Sequence, residues 1–141
     1  PCPIGENCET IINHRNMLEV SINSNNDIFV ENEIINLNEL KAIAKAFLDN
    51  NGDKSCDYCN GQNLEASSDN PKDAVISLQN DTQTSYEFYI QIQDELTKAY
   101  DELRSEYAKT KFHKSTNKLT TEELINVQKA YPFLLSEAEI K

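Results

Sequence analysis

Between residues 18 and 50 the spacing of apolar positions changes period. Leu18, Val20 and Ile22 alternate with Glu19 and Ser21, the period of two expected of a strand with one buried face. Ser24, Asn25, Asn26 and Asp27 come next. Their side chains bond to nearby backbone, and Asn and Asp tolerate positive φ, so they predict a turn. Residues 28–34 are expected to return as the second strand of a hairpin. The period then lengthens. Asn36 with Glu39 has the form of a capping box, and Ile35 and Leu40 occupy its staple positions. Leu40, Ile43, Ala44, Phe47 and Leu48 make one helical stripe, which Asn50, Asn51 and Gly52 end.

A second unit follows the same scheme. Ala74, Ile76 and Leu78 alternate in a short strand, and Thr84 with Glu87 is expected to cap a long helix starting near Ser85. Its stripe runs through Phe88, Ile92, Leu96, Ala99, Leu103 and Tyr107, which assigns these aromatics to the core, while Tyr86 and Tyr89 fall off the stripe and suit a partner contact. Asp94 precedes Lys98 by four positions, a favourable surface spacing. Beyond a basic, polar break at 109–118, Thr120 and Glu123 form another capping box, stapled by Leu119 and Leu124. That helix runs through Val127 and Tyr131 until Pro132 stops it. Residues 133–138 read as a last strand, with Phe133 and Leu135 on one face and Leu134 on the other. The elements predict an α+β fold, a two-layer domain whose small mixed β-sheet carries helices on one face. The second strand, first helix and third strand would form a right-handed crossover if those strands are parallel.

Together the two units resemble the periplasmic domain of the ExbD/TolR family of biopolymer transport proteins. In that family a strand pair and helix are followed by a strand, a polar turn, a tyrosine and an amphipathic helix. The matching stretches are VSINSNNDIFVENEIINLNELKAIAKAFL and AVISLQNDTQTSYEFYIQIQDELTKAY, with Tyr86 in the tyrosine position. The resemblance covers roughly residues 17–103 and rests on order and spacing rather than on one motif. It implies a non-enzymatic subunit, in the periplasm and tethered to the bacterial inner membrane. Such a subunit works with an ExbB-like membrane subunit and a TonB-like protein, using the proton gradient to support transport through outer-membrane receptors. Members carry a transmembrane helix with a proton-carrying aspartate ahead of this domain, and the resemblance places that helix just before Pro1. The extra helix ahead of the last strand departs from the family pattern.

Length and charge narrow the reading. A chain of 141 residues suits one domain: residues 1–16 are read as a flexible periplasmic tether, and 17–141 as the folded part, with a Cys-containing surface insertion at 51–73 that adds little core. A net charge of −11 argues against nucleic acid or anionic lipid as partner. Cys2, Cys8, Cys56 and Cys59 are even in number, as in an oxidising compartment, and spacing favours local pairs, Cys2 with Cys8 and Cys56 with Cys59.

Catalytic chemistry finds little support. Cys56-Asp57-Tyr58-Cys59 has the spacing of a thiol-disulfide oxidoreductase, but Asn60-Gly61-Gln62-Asn63 are turn formers where that chemistry needs a helix N-terminus. A structural disulfide therefore ranks first. Zinc ranks lower, because only Cys2 and Cys8 in the tether, or the isolated His14 and His113, are on hand to complete a four-ligand set. No catalytic residue, cofactor or metal site is expected. Recognition through a sheet edge remains, and Phe133, Leu134, Leu135, Ser136 and Glu137 are the candidate edge on which a TonB-like segment would add a strand. A homodimer would use the same edge. A TolR-like cell-wall-binding module is a further alternative.

Overall fold

The computed structural model describes residues 14–140. Its strands are β1 (Met17–Ile22), β2 (Ile28–Val30), β3 (Glu33–Ile35), β4 (Val75–Asp81) and β5 (Leu135–Ile140), and its helices α1 (Leu37–Leu48), α2 (Tyr86–Phe112) and α3 (Thr121–Ala130). They build a five-stranded sheet in the order β3-β2-β1-β4-β5. The pairs β1–β2 and β2–β3 are antiparallel, whereas β1–β4 and β4–β5 are parallel. This is the mixed sheet of an α+β fold, with its helices over one face.

Register explains which face is covered. Val20 stands opposite Val30 on one side and Leu78 on the other, and Leu18 stands opposite Ile76. All five are buried, and with Ile22 and Ile28 they form one layer of a core whose other layer is Leu40, Ala44, Phe47 and Leu48 of α1 and Ile92, Leu96, Ala99, Tyr100 and Leu103 of α2. Intervening residues such as Glu19, Ser21, Ser77 and Gln79 lie on the face without helices and are exposed or half-buried.

Residues 28–34 do not form one strand. Glu31 and Asn32 have φ of 51° and 70°, the two positive values of a tight hairpin turn whose twist matches its flanking strands. The chain therefore reverses after Val30, and β3 pairs Ile34 with Phe29 on the open face, where Ile34 is 67 % exposed. β4 lies parallel against β1, so the connection between these two neighbours carries the β2–β3 hairpin as well as α1.

Helix ends follow local chemistry with one shift. Asn36 N–H donates to Glu39 Oε1 at 2.8 Å ahead of α1, and Thr120 and Glu123 cap α3 reciprocally at 2.9 and 3.2 Å. For α2 the cap is Ser85 rather than Thr84: Ser85 Oγ accepts from Phe88 N–H at 3.2 Å. Thr84 Oγ1 instead donates to the Asn23 carbonyl at 3.1 Å, tying the exit of β4 to the turn after β1. On the surface of α2, Lys98 pairs with Glu95 at 3.1 Å and not with Asp94. Lys41 and Lys45 of α1 bridge to Glu102 of α2 at 2.7 and 3.0 Å.

The segment between α1 and β4 contributes more to the interior than its composition indicates. Asn50, 2 % exposed, donates through Nδ2 to the carbonyls of Leu64 and Ser68, both at 2.8 Å, and accepts from Leu64 N–H at 3.0 Å. Asn51, with φ of 58°, exchanges two hydrogen bonds with the Cys56 backbone at 2.8 and 2.9 Å. Ser68 Oγ donates to the Phe47 carbonyl. Cys56, Ser68, Asp69 and Pro71 are buried as a result, so the segment is a folded cover rather than a surface excursion. Gly61 is obligatory within it, because a Cβ there would stand 2.1 Å from the Asp49 carbonyl oxygen. Of the segment read as a tether, residues 1–13 lie outside the described residues, while Arg15 binds Asp69 through two bonds of 2.9 and 2.8 Å.

Candidate functional site

The proposed binding edge is the end of the sheet next to β4. There β5 begins at Leu135, so Phe133 and Leu134 precede the strand instead of belonging to it. Proline at 132 accounts for the delay. It ends α3 and restricts the residue before it, and the chain needs Phe133 and Leu134 to reach the sheet. Leu135 stands opposite Ile76, and Ile76 N–H donates to the Leu134 carbonyl at 3.0 Å. In a parallel ladder that register turns the backbone groups of Leu135 and Glu137 away from β4, along the open edge. The Phe133 ring lies 4.8 Å from that of Tyr100 while remaining 47 % exposed. Glu137 accepts a bond from Gln93 of α2 at 2.8 Å.

The opposite edge is β3, three residues long and bounded by the Glu31–Asn32 turn. Short edge strands resist pairing with another chain. The six-residue β5 is therefore the more available edge.

Cys56 and Cys59 lie with their sulfurs 2.01 Å apart and their Cα atoms 5.6 Å apart. Cys2 and Cys8 fall outside the described residues. Cys56 is 4 % exposed, and neither Cys56 nor Cys59 opens a helix. Cys59 is half-buried, and the helix-terminus field that lowers a thiol pKa is absent at both cysteines. His113 is the left-handed cap of α2, with φ of 58° and its N–H bonded to the Lys109 carbonyl at 3.1 Å.

One constellation was not visible in the sequence. Tyr58 of the cysteine loop, Tyr107 of α2 and Tyr131 after α3 meet edge to face, with centroids 4.9 Å apart for Tyr58–Tyr107 and 5.4 Å for Tyr58–Tyr131. Each hydroxyl is held. Tyr58 donates to the Ala130 carbonyl at 2.6 Å, Tyr131 to Asp49 Oδ1 at 2.7 Å, and Tyr107 bonds Asn126 Oδ1 at 2.8 Å. Burial, reinforced by the nearby Tyr107 and by Asp57 and Asp49, pushes the Tyr58 phenol up to about 12. Burial followed by the Asp49 contact pushes that of Tyr131 higher still. Among the aromatics of α2, Tyr100 is buried, Phe88, Tyr89 and Tyr107 pack partly against the core, and Tyr86 is 76 % exposed. Helical spacing alone marks Tyr107 as core stripe, and its separation in the chain from Tyr58 and Tyr131 leaves their meeting without a local signal.

No helix among the described residues is long and apolar enough to cross a membrane. No curated protein sequence matches the chain significantly. The family model for biopolymer transport protein ExbD/TolR matches residues 6–104, a span that contains the sheet up to β4, α1 and most of α2. The chain belongs to the ExbD/TolR family of biopolymer transport proteins.

Proposed function

We propose that this chain acts as the periplasmic domain of an ExbD-like subunit in a proton-motive-force-driven complex. It would work with an ExbB-like membrane subunit and a TonB-like protein to support transport through outer-membrane receptors. Its task is recognition: an extended segment of the TonB-like protein adds to β5 as a further strand, and the same edge serves a homodimer. The observation that carries this reading is the position of β5 at the end of the sheet, with Leu135 and Glu137 directed along an edge that pairs with no other strand among the described residues. Backbone bonds would supply affinity and alternate side chains specificity. A weak contact suffices where both partners are held at one membrane, since tethering raises the effective concentration to about millimolar.

Titrating the isotopically labelled domain with a peptide from the periplasmic part of a TonB-like protein should shift the amides of Leu135, Ser136 and Glu137. Glu137→Pro removes an outward donor while sparing the bonds to β4, and should weaken the binding. Shifts confined to the cysteine loop, or no binding by any such segment, would refute strand addition at β5.

A further inference from the structure

A cleft of about 400 Å³ opens between the Cys56–Cys59 loop, α2 and the end of α3, within the range of small-ligand pockets. Tyr58, Tyr107 and Tyr131 line it, and Asp49, Asp57 and Glu106 supply carboxylates against one ammonium, that of Lys111. We propose that this cleft docks a basic side chain, arginine or lysine, from a protein segment that approaches the face formed by the cysteine loop and α2. The site is separate from β5, and its success or failure leaves strand addition there untouched.

Three features support it. The first is a resident cation. Lys111 Nζ donates to the Tyr107 hydroxyl at 3.1 Å and stands 5.5 Å from the ring centroid, at the hydroxyl edge of the ring. The aromatic wall therefore already holds a positive group at its rim. The second is unspent negative charge. Asp49 is committed, accepting from Tyr131 and from Asn60 N–H at 3.1 Å. Asp57 has no hydrogen bond or ion pair among the described residues, and Glu106 has a 3.8 Å contact to Lys45 with its side chain 64 % exposed. Both retain acceptor capacity for a guanidinium or ammonium. The net charge of −11 steers a basic partner toward the domain. The third is preorganisation. Asp57 and Tyr58 are the two residues between the joined cysteines, and Asn51 clamps the Cys56 backbone from both sides. Less ordering is left to occur on binding.

Tyr107, Lys111 and Tyr131 lie beyond residue 104, where the family match ends. The cleft thus depends on parts of this chain outside the shared pattern.

The test is an NMR titration of the labelled domain with a blocked Ala-Arg-Ala peptide, beside peptides carrying norleucine or glutamate in place of arginine. Saturable shifts at Asp57, Tyr58 and Lys111 are expected with the arginine peptide alone, weakening as salt is raised. Asp57→Asn with Glu106→Gln should lower affinity by about fivefold, the combined scale of two exposed ion pairs. Lys111→Ala should raise it by removing the competing cation. Equal shifts with the norleucine peptide, no shift with the arginine peptide, or affinity unchanged in the double variant would overturn the proposal. Ethylguanidinium binding as tightly as the peptide would also overturn it, since the site would then serve a free small cation.

Discussion

The hydroxyl of Tyr131 donates to Asp49 Oδ1 across 2.7 Å, joining the residue that follows α3 to the residue that ends α1. Asp49 also receives Asn60 N–H through its other oxygen, at 3.1 Å. One carboxylate thus ties helix, loop and C-terminal segment together. Tyr131→Phe keeps the ring in its contacts and deletes only the bond. A loss of about 1.5 kcal/mol is expected in urea unfolding, at the low end for bonds to charged groups because Asp49 is partly solvated.

Alkaline pH should weaken the domain. Burial raises the Tyr58 and Tyr100 phenols to about 12 and Tyr131 further, whereas an unfolded tyrosine ionises near about 10. Above that value the unfolded chain has lost protons that the folded chain retains, so stability falls as pH rises. The contribution is whole below about pH 10 and is lost as pH rises through the folded values. Urea midpoints should be flat from neutral pH to the onset of phenol ionisation and then drop. Tyr100→Phe should make that drop shallower.

The opposite sign applies to Glu102. Hydrogen bonds from Lys41 and then Lys45 hold its carboxyl below the usual range. Its contribution is present above the ordinary glutamate value of about 4.3 and is lost as pH falls through the folded value. Carboxyl-carbon NMR should find the Glu102 midpoint below those of unpaired glutamates. Replacing both lysines by methionine should return it upward.

Ile76 is fully buried in β4, between β1 and β5. Ile76→Ala should cost about 3 kcal/mol through lost burial and the cavity left behind. Ile76→Asp should abolish folding, since a charge there has no partner. Asp57→Ala, on the exposed loop, should melt within a few degrees of the parent. Equal melting temperatures for Ile76→Asp and Asp57→Ala would mean that β4 is wrongly placed.

Peptide mapping under non-reducing conditions should return Cys56 and Cys59 bridged to each other, and Cys2 bridged to Cys8. Replacing Cys56 and Cys59 by alanine should cost about 2 kcal/mol, as the bridge closes a very short loop. The domain should stay folded, because the Asn50 and Asn51 bonds to the loop remain.

The elements themselves were legible because their causes are local. Alternation at Leu18, Val20 and Ile22, the stripe from Leu40 to Leu48 and the Thr120–Glu123 box depend on residues a few positions apart, and each stands in the structure where its pattern placed it. Boundaries were less secure where neighbours compete. Thr84 and Ser85 are both competent caps, and the Asn23 carbonyl, distant in sequence, claimed Thr84.

What only the tertiary structure decided is the set of contacts between parts far apart in the chain. Alternation cannot say that β4 lies beside β1, because every strand with a buried face satisfies the same pattern whichever strand it joins. Asn50 and Asn51 read as helix-ending polar residues, yet packing buries them, and burial forces their amides to find partners in residues 56–68. Tyr58, Tyr107 and Tyr131 carry no shared local signal. They meet because the cysteine loop and the end of α3 both bond Asp49, and Tyr107 of α2 packs its ring against Tyr58.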